Sequence, residues 1–180
     1  MQNDIKRVLY SEETIQAKVA ELGDRLAKDY ADKNPIVVCI LKGASIFMTD
    51  LVKKMPIELE MDFMVVSSYG SGTTTSGVVQ ILKDLDISIE NRHLIIAEDI
   101  IDTGTTLRHL LEVFDTRSPL SIEICTLLLK EKTIQEQLPV SVKYVGLRVP
   151  DEFVVGYGLD YNEKYRNLPY IGVLKEEIYE

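Results

Sequence analysis

Short apolar runs alternate with amphipathic helical patterns along this chain, and the alternation predicts an α/β fold: a parallel sheet of about five strands flanked by helices. Three observations carry that prediction. IVVCIL (36–41) and HLIIAE (93–98) are continuous apolar runs of the kind found in strands covered on both faces. Ile15, Val19, Leu22 and Leu26, and later Leu107, Leu110, Leu111 and Phe114, recur at helical spacing. Polar, glycine-bearing segments directly follow two of the apolar runs, as ligand loops follow the carboxyl ends of strands in open α/β sheets.

Taken in order, Ser11 with Glu12 and Glu13 in the first turn opens a helix that ends near Asn34-Pro35. IVVCIL follows as a buried strand, and residues 45–54 read as a second helix. From 57 to 66, Ile57, Leu59, Met61, Phe63 and Val65 alternate with Glu58, Glu60 and Asp62, a strand with one face partly wet. VVQIL (78–82) adds another apolar strand. HLIIAE, SIEICTLLL (121–129) and YVGLRV (144–149) supply three more, with the Leu107 helix between the first two.

A chain of 180 residues that is 46% hydrophobic can bury a sizeable core, and this length predicts one domain. The net charge of −9 opposes nonspecific attraction to nucleic acid or anionic lipid, so no nucleic-acid or membrane partner is expected. Cys39 and Cys125 lie in apolar runs without a CxxC partner and read as reduced core thiols. The first residues contain no apolar signal core, and no window approaches the ~20 apolar residues of a membrane span. A cytoplasmic location is the expectation.

Two loops can carry chemistry. In LKGAS (41–45), Lys42 offers a cation and Gly43 lets backbone amides approach an anion closely. In EDIIDTGTTL (98–107), Glu98, Asp99 and Asp102 concentrate like charge beyond an apolar strand, an arrangement that costs stability unless a ligand offsets it. Carboxylates suit a cation or sugar hydroxyls. Thr103, Gly104, Thr105 and Thr106 open the next helix, whose N-terminal amides favour an anion by about 0.3–1 kcal/mol per contact. One ligand with both sugar hydroxyls and phosphate would satisfy both halves. SSYGSGTTTSG (67–77) has no periodicity and by composition is a loop; it matches neither GxGxxG nor GxxxxGK[ST].

LIIAEDIIDTGTTL (94–107) resembles the phosphoribosyl pyrophosphate signature of the type I phosphoribosyltransferases: an apolar strand, an acid pair, two aliphatics and D-T-G-x-T. VLYSEE, LKGAS, VVSSYGSGTTTSG, LLLK and VPDEFVVGYGLDYNEKYRNLPYIGVL make the chain similar, within that family, to the hypoxanthine-guanine phosphoribosyltransferases. The resemblance implies the type I phosphoribosyltransferase fold, a parallel sheet flanked by helices with a small hood. It implies a single domain over 1–180, with a core of about 36–148 and the hood drawn from the N-terminal segment and about 151–180.

The activity it implies is purine salvage: transfer of the 5-phosphoribosyl group from phosphoribosyl pyrophosphate to N9 of hypoxanthine or guanine, giving IMP or GMP and pyrophosphate. By resemblance, Glu98 and Asp99 address the ribose hydroxyls, and Asp102, Thr103, Gly104, Thr105 and Thr106 the 5′-phosphate. Asp102 also faces N7 of the purine as catalytic base. Lys42, Gly43 and Arg166 belong to the pyrophosphate site, and the peptide before Lys42 is implied to be cis. Lys130 donates to O6, Phe153 stacks on the base, Val154 meets the purine edge through its main chain, and Asp160 completes the site. Magnesium is the implied cofactor, with Glu98, Asp99 and Asp160 as candidate ligands. Ser68 and Tyr69 match the tip of a mobile loop that closes over the reacting centre. A homodimer or homotetramer is implied. The family's LKGG reads LKGA here, with Ala44 in place of the second glycine.

Other function classes fit less well. His93 and His109 stand at a strand start and within a helix, away from any serine elbow or metal spacing, which argues against histidine-based hydrolysis. The alternative is a phosphoribosyltransferase-fold regulatory protein that senses nucleotides or the donor. The acidic balance and the retained Asp102, Lys130, Asp160 and Arg166 oppose it. Sequence alone leaves the ranking of hypoxanthine, guanine and xanthine open, since these bases differ at C2.

Overall fold

The structure is a computed structural model and describes residues 1–68, 79–131 and 142–179. After β1 (Ile5–Tyr10), the Ser11 hydroxyl accepts from Thr14 N at 3.3 Å and caps α1 (Glu12–Asp29). One face of α1 buries Ile15, Val19, Leu22 and Leu26. β2 (Ile36–Leu41), α2 (Ser45–Val52), β3 (Glu60–Ser68) and β4 (Val79–Lys83) follow. Then come β5 (His93–Ile101), α3 (Thr105–Asp115), β6 (Ser121–Lys130) and β7 (Tyr144–Val149). β8 (Val154–Val155), β9 (Ile171–Leu174) and the short helix α4 (Glu176–Tyr179) end the described chain.

The central sheet has the order β4-β3-β2-β5-β6-β7. All its neighbours run parallel except β3 and β4. Five strands, β3, β2, β5, β6 and β7, run parallel as expected, and β4 joins the edge beside β3 as an antiparallel sixth. The reason lies in the connection: only ten residues separate Ser68 from Val79. A parallel return needs a crossover of a dozen or more residues, whereas an antiparallel neighbour can follow a short loop. The β3 ladder also starts at Glu60 rather than at Ile57; Pro56 and a turn from Met55 to Ile57 precede it.

The uninterrupted apolar strands explain themselves through burial on both sides. Val37, Cys39, Ile95, Ala97 and Cys125 join α1 and α2 in one cluster. Ile36, Val38, Ile40, Leu94 and Ile96 pack on the other face against Leu107, Leu110, Leu111 and Phe114 of α3. Both cysteines are buried and unpaired.

A second sheet, β1-β9-β8, is antiparallel and joins the two ends of the chain. Tyr10 Oη donates to Arg148 O at 2.5 Å, and Arg7 pairs with Glu152, tying this sheet to the turn that follows β7. The carboxyl ends of β2, β5 and β6 thus deliver the loops at 42–44 and 102–104 and the residue Lys130 to one edge, beside the 150–154 turn.

Candidate active site

Two cavities open at that edge. One, of about 130 Å³, is lined by Glu98 and by the loop from Ile100 to Leu107. Gly104, at φ 72°, turns the chain into α3, and the first helical bond runs from Arg108 N to Gly104 O. The amides at 105–107 precede that bond and have no intrahelical acceptor; that of Thr105 donates to the Thr103 hydroxyl at 3.5 Å, and the helix start as a whole favours an anion. The Thr103 and Thr105 hydroxyls lie 3.2 Å apart on the same loop.

The other cavity, of about 160 Å³, is lined by Ile100, Asp102, Lys130, Glu152, Phe153, Val154, Leu159 and Asp160. Ile100 and Asp102 belong to both. Lys130 Nζ lies 3.0 Å from Asp102 Oδ2 and 3.8 Å from Asp151 Oδ1. Val154 stands opposite Val173, while Leu174 N donates to Phe153 O at 2.9 Å. In the alternation of an antiparallel ladder, Val154 is then the position that exchanges no bonds with its partner strand. Its N–H and C=O point away from β9, on the edge of the sheet, where the cavity lies.

Beside these cavities sits a charged cluster. Arg166 pairs with Asp160 Oδ1 at 2.9 Å and Glu163 Oε1 at 3.5 Å, and its Nη1 donates to Gly158 O at 2.8 Å. Lys42 Nζ reaches Glu163 Oε2 at 2.9 Å, and Asp160 Oδ2 accepts from Glu163 N at 2.8 Å. Glu163 joins the two cations and was not singled out from the sequence. Its place three residues after Asp160 and three before Arg166 was the available signal.

The Leu41–Lys42 peptide is cis. Ala44 has φ −72° and ψ −4°, an ordinary right-handed conformation, which is why alanine fits where the family has glycine. Gly43 is constrained by space instead: a Cβ there would lie 1.8 Å from Asp99 Oδ2. Gly158, at φ 103°, approaches Gly43 from the other side, with a would-be Cβ 2.1 Å from Gly43 O. A brace holds that turn: Tyr157 Oη donates to Asp50 Oδ2 at 2.6 Å, and Gln16 Nε2 donates to the same oxygen at 3.1 Å.

Burial dominates the electrostatics of the Glu98–Asp99 pair. Burial, then the neighbouring Asp99 charge, pushes the Glu98 carboxyl well above the usual carboxylate range. Burial also raises Asp99, although the Ile100 amide, which donates to its Oδ1 at 2.8 Å, and the Arg166 charge pull it back. Among the described residues, no three His, Cys, Asp or Glu side chains form a group able to hold a metal ion. Glu98, Asp99 and Asp160 are therefore not a ready-made cage. They are hard oxygen donors, and Asp99 lies over the space that Gly43 leaves open, which fits a cation that takes most of its ligands from substrate and water.

The structure brings together Glu98, Asp102, Thr103, Gly104, Thr105 and Thr106 at one cavity edge, with Lys130, Phe153, Val154 and Asp160 at the next, while the Asp99 carboxylate lies against Gly43 instead. Lys42, Gly43 and Arg166 meet through Glu163, Asp99 and Gly158. Ser68 ends β3, and Tyr69 lies outside the described residues.

Comparison with known proteins identifies the same architecture. Residues 9–162 match the phosphoribosyl transferase domain. The hypoxanthine-guanine phosphoribosyltransferase of Streptococcus thermophilus is 55% identical over 179 residues, 99% of this chain and 98% of that protein. That of Bacillus subtilis is 55% identical over 180 residues, 100% of this chain and 99% of the relative. A crystal structure of a hypoxanthine phosphoribosyltransferase from Staphylococcus aureus superposes with a TM-score of 0.94 at 53% identity, covering 100% of this chain and 97% of the other.

Proposed function

Because this chain belongs to the phosphoribosyl transferase family, we propose that its two strand-edge cavities divide one reaction between them, the donor in the 98–107 loop and the purine beside Lys130 and Phe153. The chain is a purine salvage enzyme that transfers the 5-phosphoribosyl group from phosphoribosyl pyrophosphate to N9 of hypoxanthine or guanine. The single observation that carries the division is Asp102, which lines both cavities. A residue there touches the donor's phosphate loop and the base at once.

The 105–107 amides and the threonine hydroxyls take the 5′-phosphate, and Glu98 and Asp99 take the ribose hydroxyls. O6 and N7 lie on one edge of a 6-oxopurine. An ammonium beside a carboxylate matches that edge when N7 carries a proton: Lys130 donates to O6 and Asp102 accepts from N7. Phe153 supplies the stacking face, and the outward Val154 main chain meets the remaining edge. As N9 bonds to C1, the bond from C1 to pyrophosphate breaks and the N7 proton passes to Asp102. Lys42, the amides near Gly43, and Arg166 receive the negative charge of the leaving group.

Magnesium, held by Asp99, Asp160 and Glu98 together with the donor's oxygens, would neutralise that charge when bound. The β1-β9-β8 sheet acts as the hood of a single domain, and a homodimer or homotetramer in the cytoplasm is the proposed working form. Among the described residues, no helix is long and apolar enough to cross a membrane.

Steady-state assays with hypoxanthine, guanine and xanthine, phosphoribosyl pyrophosphate and magnesium test this reading and rank the bases. Nucleoside monophosphate should form with hypoxanthine and guanine. Tight donor binding with no product from any 6-oxopurine would overturn it.

A further inference from the structure

Phe153 touches two other rings. Its centroid lies 4.9 Å from that of Tyr179 with the planes 24° apart, a stacked pair, and 5.6 Å from Tyr161 at 89°, an edge-to-face contact. Tyr161 and Tyr179 are themselves 6.4 Å apart at 68°. Neither tyrosine lines the cavity that Phe153 enters. Stacking on Tyr179 therefore takes one face of the Phe153 ring, while the residue as a whole is 37% exposed and also lines the cavity beside Lys130.

Tyr179 sits on α4, whose four residues are too few to hold a helix by themselves. The start of the chain holds it instead. Lys175 N donates to Asp4 O at 2.9 Å, Lys6 pairs with Glu176 at 3.4 Å, and Tyr165 Oη donates to Asp4 Oδ2 at 3.0 Å. On the other flank, Leu174 N bonds Phe153 O, so the strand that leads into α4 also fixes the Phe153 backbone. Backbone and ring of Phe153 are thus both referred to the C-terminal segment.

We propose that Tyr179 is a positioning residue for purine affinity: packed behind Phe153, it holds that ring in the plane on which the base stacks. The inference rests on the reading of Phe153 as the stacking face. A side chain whose orientation is locked beforehand loses less freedom when the ligand arrives, so affinity rises without a new ligand contact. Tyr179 touches nothing in the phosphate cavity, and its influence is confined to the base. The hydroxyl has no part in the argument; the ring does.

The test is a double-mutant cycle on the full chain, with KM for hypoxanthine and for phosphoribosyl pyrophosphate measured separately. Tyr179→Ala should raise the hypoxanthine KM about three- to tenfold, in line with the strength of an aromatic pair, and leave the donor KM within about twofold. Tyr179→Phe should restore the wild-type value. In a Phe153→Ala background, Tyr179→Ala should have no further effect. Equal rises in both KM values, a fall in the hypoxanthine KM, or full additivity with Phe153→Ala would each overturn the proposal. If Phe153→Ala itself leaves the hypoxanthine KM unchanged, it is the stacking role of Phe153 that fails. An elevated KM in Phe153→Ala with none in Tyr179→Ala rejects the positioning role alone.

Discussion

Asp102 and Lys130 stand 3.0 Å apart at the meeting of two cavities, and in the proposed function the pair is the smallest unit that recognises a 6-oxopurine. Lys130 is the more enclosed partner, with 15% of its side chain exposed against 58% for Asp102. A hydrogen bond to a charged group contributes about 1.5–3 kcal/mol. Lys130→Ala should accordingly raise the hypoxanthine KM about ten- to hundredfold while the donor KM stays within about twofold, as steady-state kinetics would show. An equal change in both would mean that Lys130 supports the phosphate loop rather than the base. The sequence singles out Asp102 because three carboxylates beyond an apolar strand form a local conflict, and the structure sets that residue on the lining of both cavities. Glu163 was not, because its role depends on where Lys42 lies, 121 residues away.

The element that most needs its neighbours is the turn at Gly156, Tyr157 and Gly158, which leans on the loop at 42–44. A Cβ at Gly158 would meet the Gly43 carbonyl oxygen at 2.1 Å, and φ of 103° already disfavours any side chain. Gly158→Ala should therefore shift the pyrophosphate loop and lower turnover by about tenfold or more, since misplacements near 1 Å carry costs up to ~10². Wild-type turnover in that variant would show that the two loops do not depend on each other.

The same brace has a pH signature. Burial alone would raise the Asp50 carboxyl, but bonds from Lys53, Tyr157 and Gln16 outweigh it and hold the group below its ordinary value of 3.8. A depressed folded pKa stabilises the protein above the unfolded value, and that contribution is lost as pH falls through the folded one. Asp50→Asn should cost about 1–2 kcal/mol in urea unfolding at pH 7, with the gap to wild type closing as pH drops below 3.8. A gap independent of pH would remove the charge from the account.

At the scale of the whole molecule, the chain closes on itself: β1 pairs with β9, and the two sheets meet around the cavity beside Lys130 and Phe153. The central strands were legible because burial on both faces writes a continuous apolar run into a short stretch of chain. The strands of the second sheet were not. Their pairing partners lie at opposite ends of the chain, and β1 exposes Lys6, Arg7 and Val8 in succession with two register irregularities, so no local period marks it. The antiparallel turn of β4 was likewise a matter of connection length rather than of residue type. In the proposed function, this closure sets Phe153, just before β8, as the base platform beside Asp102, just after β5, as the proton acceptor. Asp102→Asn tests that claim most directly, because it keeps the size of the side chain and removes the carboxylate. Forward turnover with hypoxanthine, at saturating donor and magnesium, should fall by about 10²–10⁴ while direct binding of phosphoribosyl pyrophosphate is largely kept. Wild-type turnover in Asp102→Asn would contradict the assignment of proton transfer to this residue.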